Sequence, residues 1–198
     1  MAFALLGWPP DGPTLRLDYR RFAYAGKFVL GATGKAVVYD ANAAAEDSAY
    51  DDAVLAAASF SPDRTDDDCL CVRYITVRDD RQGDGLGSRL LAFVADCAEA
   101  RGFDRLRIAV NNPVAYRAAY RAGFGFTGDE TGLAELVCER PGPRDAETYR
   151  DGLERYRGRE FDDEMASFLD DERGSDPPAV VDPPDGVGVV DGDVVPWQ

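Results

Sequence analysis

The chain contains no histidine, and lysine occurs only at Lys27 and Lys35. Without imidazole, proton transfer near neutral pH falls to tyrosine, to carboxylates or to water. Mixed Cys/His metal sites are excluded for the same reason, and Cys69, Cys71, Cys97 and Cys138 show no Cys-x-x-Cys spacing. Buried, reduced thiols and no bound metal are expected. No stretch approaches the roughly 18 consecutive apolar residues of a membrane span, and Met1 to Pro10 lacks a charged n-region and a cleavage site. We therefore expect a cytoplasmic protein with no membrane partner.

What is present is 198 residues, 45% of them hydrophobic, enough for one domain with a real core. Composition shifts near Pro141 to Asp, Glu, Arg, Gly and Pro, which predicts a folded unit over 1–141. Tyr149, Leu153, Tyr156, Phe161, Met165 and Phe168 form a loose helical stripe interrupted by Gly152 and Gly158. It predicts one broken accessory helix within 142–173. From Gly174 to Gln198 the apolar content is too low to offset ordering entropy, so a disordered acidic tail is expected, with Val194 to Trp197 its one candidate for order. The net charge of −15 repels nucleic acid, which excludes that partner, and attracts amines, polyamines and basic peptides.

Alternation of Leu15, Leu17 and Tyr19 predicts a first strand over 14–19, and 27–32 with 35–39 reads as a hairpin around Thr33-Gly34. The runs 54–60 and 69–77 read as antiparallel neighbours across an acidic turn. Leu90, Leu91, Val94, Cys97 and Ala98 predict a helix over 87–101, closed by Gly102. A strand over 105–110, a helix over 114–122 and a last strand over 133–139 complete the order.

Gln82-Gly83-Asp84-Gly85-Leu86-Gly87-Ser88 joins the strand ending at Val77 to that first helix. Glycines let the backbone approach an anion with positive φ, and the helix N-terminus supplies N–H groups and a favourable dipole. Arg78, Arg81 and Arg89 add local positive charge in an acidic chain. A Walker loop would require Gly-Lys-Ser/Thr, and a dinucleotide fingerprint would require glycine where Ser88 stands. A glycine-rich turn without a ligand is the remaining alternative.

Gln82-x-x-Gly85-x-Gly87, followed by Ser88-Arg-Leu-Leu91, resembles the pyrophosphate loop of the GNAT acetyltransferase superfamily. Ile108-Ala-Val110, then Asn111-Asn112-Pro113, Ala115 and Gly123-Phe124, resembles the second half of the same signature, in register with the first. The resemblance implies an α+β fold: a mixed, mostly antiparallel sheet flanked by helices, with a V-shaped splay between central strands. It implies acetyl-CoA as co-substrate and an amine as acceptor. Amides of Gln82, Gly83, Asp84, Gly85, Leu86, Gly87 and Ser88 would hold the pyrophosphate. The main chain of Ile75, Thr76 and Val77 would bond pantetheine as an added strand, with Asn111 and Asn112 as further contacts.

The family's usual proton donor, a tyrosine four residues before the glycine of Gly-Phe, falls here on Ala119. Tyr120 and Tyr116 are the catalytic candidates left on that helix, although one residue turns a helix by about 100°. Glu135, Asp79, Asp80 and Tyr74 are candidates for the base beside a water relay, and the Val77 or Arg78 amide for the oxyanion donor. Phe22, Tyr24, Phe28 and Tyr39 either pack the core or line the acceptor pocket. Dispersed acids with almost no lysine resemble haloarchaeal proteins, in which molar salt screens the repulsion. A non-catalytic CoA-binding module is the competing function, a chromatin-like or toxin-type partner role lacks a basic docking surface, and monomer and homodimer both stay open.

Overall fold

A computed structural model describes residues 1–43 and 48–185. Its seven strands are β1 (Ala2–Gly7), β2 (Gly34–Tyr39), β3 (Val54–Pro62), β4 (Cys69–Val77), β5 (Arg105–Val110), β6 (Gly125–Glu130) and β7 (Leu136–Arg140). Four helices accompany them: α1 (Leu86–Glu99), α2 (Pro113–Arg121), α3 (Ala146–Glu154) and α4 (Asp163–Asp171). The strands form one open sheet in the order β1-β2-β3-β4-β5-β7-β6, antiparallel at every pairing except β4 with β5. The mixed, helix-flanked sheet is the expected fold class.

Burial on both faces fixes the centre. Ala36 and Val38 of β2 join a main cluster with α1, α2, α3 and α4, whereas Val37 and Tyr39 face a second cluster built from Leu15, Leu17, Phe22, Ala25 and Phe28. Successive strand residues point to opposite faces, so the sheet separates two layers. The pairing of β3 with β4 and the extents of α1 and β5 follow the sequence reading closely.

Several expectations are corrected. Residues 14–19 are buried at Leu15 and Leu17 but form a loop, tied by the Leu15 N–H to Phe28 O and the Arg16 N–H to Asp51. The edge strand is β1, whose apolar run is buried without alternation and so carries no period-2 signal. Residues 27–32 form turns instead of a hairpin arm, and the buried Lys35 ammonium donates to Leu30 O, Thr33 O and Thr33 Oγ1 to close that loop. Glycine and charge hid β6, which exists through pairing with β7, while 131–134 turn through Ala134 at φ 59°. The last strand therefore starts at Leu136.

The core does not stop at Pro141. Tyr149, Leu153 and Tyr156 are buried in the main cluster, and α3 and α4 are two separately capped helices, with Asp145 accepting from Thr148 N–H and Asp162 from Met165 N–H. Nor is Ser175 to Val181 loose. Ser175 O and Pro178 O accept from Arg150 and Arg144, and Val181 N–H donates to Arg121 O at 2.8 Å. Val194 to Trp197 lie outside the described residues.

All four cysteines are free, Cys97 half-buried and the others buried. Among the described residues no helix is long and apolar enough to cross a membrane, and no group of three or more His, Cys, Asp or Glu side chains could hold a metal ion.

Candidate functional site

A bulge opens the sheet. Opposite β3, Ser59 pairs with Tyr74 and Phe60 with Val72, so Arg73 is an extra residue in β4. Such an insertion bends a strand and increases its twist. Pairing of β4 with β5 runs from Cys69 with Arg105 to Val72 with Ile108 and stops at the bulge. Beyond it β4 stays paired with β3 as far as Val77, and β5 with β7 as far as Val110. Arg73–Val77 and 109–110 therefore face each other across a wedge without ladder pairing between them, and on the β5 side Val110 O accepts from the Tyr156 hydroxyl at 2.9 Å. Arg78 N–H donates to Leu55 O at 2.9 Å, so by the two-residue alternation of a ladder the N–H groups of Val77 and Ile75 point into the wedge. That removes the Arg78 amide as an oxyanion donor.

From Val77 the chain passes through a 3-10 turn at Asp79–Arg81 and enters α1 through two glycines at positive φ, Gly83 at 85° and Gly85 at 75°. A Cβ at either would meet nothing within 4 Å, so both border open space. Gly85 is the N-cap, provides no side-chain cap, and no acid occupies the first turn. The N–H groups of that turn are thus left for an anion. Two nearby acids are neutralised locally, Asp80 by Arg78 at 2.6 Å and Asp84 by Arg81 at 2.7 Å, while Asp79 accepts from the neutral Gln82 Nε2 at 3.1 Å. The hydrogen bond from Arg78 holds the Asp80 carboxyl below its usual range. Asp79 and Asp80, two of the base candidates, are engaged in these contacts.

Because β4 and β5 are parallel, Val77 and Asn111 leave the wedge at the same end. Asn112 caps α2, its Oδ1 accepting from Ala115 N–H at 2.8 Å. Its Nδ2 donates to Asn111 Oδ1 at 3.0 Å, and Asn111 Nδ2 donates to the Tyr24 hydroxyl at 3.1 Å. The structure thus gathers Ile75, Thr76, Val77, the segment Gln82–Ser88, Asn111 and Asn112 around one opening. Thr76 lies buried on the face of β4 that it shares with Tyr74. Its Oγ1, like that of Ser59 opposite Tyr74, lacks a hydrogen-bond partner among the described residues.

Tyr116 and Tyr120 do not reach this opening. Both are fully buried among Tyr149, Tyr156 and Phe126. The Tyr116 hydroxyl donates to Tyr149 O at 3.1 Å, and the Tyr120 oxygen accepts from Phe126 N–H at 2.9 Å. Burial pushes both phenols up from their ordinary range. A proton donor must touch the reacting atoms, and these hydroxyls touch backbone in the core instead. Ala119 is buried too. Glu135 accepts from the Thr131 hydroxyl at 3.1 Å. Phe22, Phe28 and Tyr39 pack the second cluster, whereas Tyr24 is half exposed, with its ring 5.8 Å from that of Tyr74. No sequence signal separated Tyr24 from its neighbours.

The model of the "Acetyltransferase (GNAT) family" matches residues 16–126. No curated protein matches the chain. Solved structures that resemble it include a GCN5-related N-acetyltransferase from Kribbella flavida, at 25% identity and TM-score 0.44, covering 56% of this chain and 68% of that one. An N-acetyltransferase from Staphylococcus aureus Mu50 follows at 18% identity and TM-score 0.44, covering 54% and 66%. A GNAT superfamily phosphinothricin acetyltransferase from Sinorhizobium meliloti, in complex with AcCoA, stands at 17% and 0.45, covering 55% and 60%. The matched region thus spans about two thirds or less of these three chains.

Proposed function

We propose, from the premise that the chain belongs to the acetyltransferase (GNAT) family, that it moves an acetyl or related acyl group from coenzyme A to an amine. The observation that carries this reading is the meeting of an uncapped glycine entry to α1 with a wedge between two parallel strands. The diphosphate of coenzyme A fits the open space at Gly83 and Gly85, held by amides of 82–88 at the positive end of the helix dipole. Pantetheine then bonds the free edge of Ile75, Thr76 and Val77 as an added strand, near Asn111 and Asn112. The N–H of Val77 or Ile75, aimed into the wedge, polarises the thioester carbonyl for attack by an unprotonated amine. Acceptor and thioester are held at near-contact distance, which lowers the entropic barrier.

The acceptor is a small-molecule amine or the amine of a protein N-terminus or lysine, approaching the face that carries Tyr74, Ser59 and Thr76. Dispersed carboxylates suit this surface to molar salt, so assays belong in concentrated potassium chloride. Residues 1–141 carry the machinery, and 142–173 brace α2 from outside. The burial of Tyr116, Ala119 and Tyr120 favours a second reading, a CoA-binding module without catalysis. Thiol release from acetyl-CoA with a panel of primary amines, alongside calorimetry, tests both. Turnover with any amine establishes the enzyme, binding without turnover establishes the module, and absence of binding sinks both.

A further inference from the structure

A relay of oriented amides ends on Tyr24. The bond from Ala115 N–H identifies which end of the Asn112 side chain is oxygen, so its Nδ2 must be the group facing Asn111 Oδ1. Asn111 is oriented in turn, and its Nδ2 donates to the phenol oxygen of Tyr24. The cap of α2 therefore dictates that Tyr24 accepts there, and its own proton has no acceptor among the described residues.

Tyr24 also spans the wedge, with its ring on Tyr74 of β4 and its hydroxyl on Asn111 at the end of β5. It does so from φ 58°, a left-handed conformation that costs a side-chain-bearing residue about 1–2 kcal/mol. Tyr24 is half exposed and belongs to neither core cluster, and its carbonyl accepts from Lys27 N–H at 2.8 Å.

We propose that Tyr24 is the catalytic residue that protonates the coenzyme A thiolate as it leaves, a role open because Ala119 carries no donor and Tyr116 and Tyr120 are buried. This rests on the acyl-transfer reading. The amine nitrogen forms a bond to the thioester carbon, the C–S bond breaks with its electron pair going to sulfur, and the Tyr24 proton follows to give the thiol. Asn111 Nδ2 holds the phenolate oxygen meanwhile. The proton lost by the amine passes to water, and water returns one to Tyr24 through its exposed side.

Tyr24→Phe keeps the ring against Tyr74 and removes only the hydroxyl. With the best acceptor from the amine panel, kcat should fall about 100-fold while the KM for acetyl-CoA and its calorimetric affinity stay within about twofold. The alkaline limb of the native rate profile, which marks loss of the required acid, should vanish. Asn111→Asp replaces a donor by an acceptor, draws the Tyr24 proton to itself, and should show the same kcat loss. A Tyr24→Phe enzyme with native kcat and native pH profile overturns the role alone, and a lower kcat with the alkaline limb intact also overturns it in favour of packing. A native chain that fails to bind acetyl-CoA overturns the acyl-transfer reading and this role together.

Discussion

Between Cys69 and Val72, β4 is paired on both sides, and β5 ties that half down with arginine. Arg107 bonds Glu139 at 2.7 Å and Asp63 at 3.2 Å, and Arg105 pairs with Asp66. Between Tyr74 and Val77 the same strand is paired on one side, and Tyr24, its ring beside Tyr74, takes the exposed hydrogen bond from Asn111. A parallel pair that is fully bonded at one end tolerates separation at the other, because the lost ladder bonds are confined to the segment past the bulge. Side-chain charge secures the closed half, and the open half is left with backbone donors facing solvent or a ligand.

The largest expected effect breaks the open half. Gly85→Val places a β-branched residue at φ 75° and fills the space in front of α1, so CoA affinity should fall at least about 100-fold, equivalent to about 2.7 kcal/mol, by calorimetry. Circular dichroism should remain native. Tyr120→Phe removes the acceptor for the buried Phe126 N–H and should cost about 2 kcal/mol in urea unfolding, with turnover close to native. A rate loss larger than the stability loss would return Tyr120 to the chemistry.

Arg107→Met releases Glu139 and Asp63 at the closed half. Since the guanidinium is partly exposed, about 1 kcal/mol of stability should go, with CoA affinity unchanged. The smallest effect concerns acid. Asp63 is held well below its ordinary range by the Thr65 N–H and hydroxyl, then by Cys71 and Arg107. The folded chain therefore binds fewer protons at this site than the unfolded chain, and its stabilisation is complete above the ordinary carboxylate value of 3.8 and fades as pH falls below it. Urea midpoints from pH 6 to 3 should drop less steeply in Asp63→Asn. An unchanged slope would show that the closed half does not depend on this carboxylate.

Local patterns carried a large part of this molecule. Leu90, Leu91, Val94 and Ala98 repeat at helical spacing, and α1 runs from Leu86 to Glu99 as that spacing requires. The glycine entry was legible because only certain residues permit positive φ at a helix start. The alternation of Leu15, Leu17 and Tyr19 was read as a strand; Leu15 and Leu17 do meet the core, but a strand also needs a neighbour to bond. For β1 and β6 the reverse held, since their strand state comes from β2 and β7.

The sequence by itself determined the glycine-rich turn into α1, the order of the central elements and the absence of imidazole, because each is a property of residues close together in the chain. Tertiary structure alone decided which tyrosines are available. Tyr116, Tyr120, Tyr149 and Tyr156 stack into one buried cluster because α3 folds back over α2, and Tyr24 comes to Asn111 from 87 residues away because the wedge brings them to one opening. Contacts of that range depend on how layers pack, which no local spacing encodes.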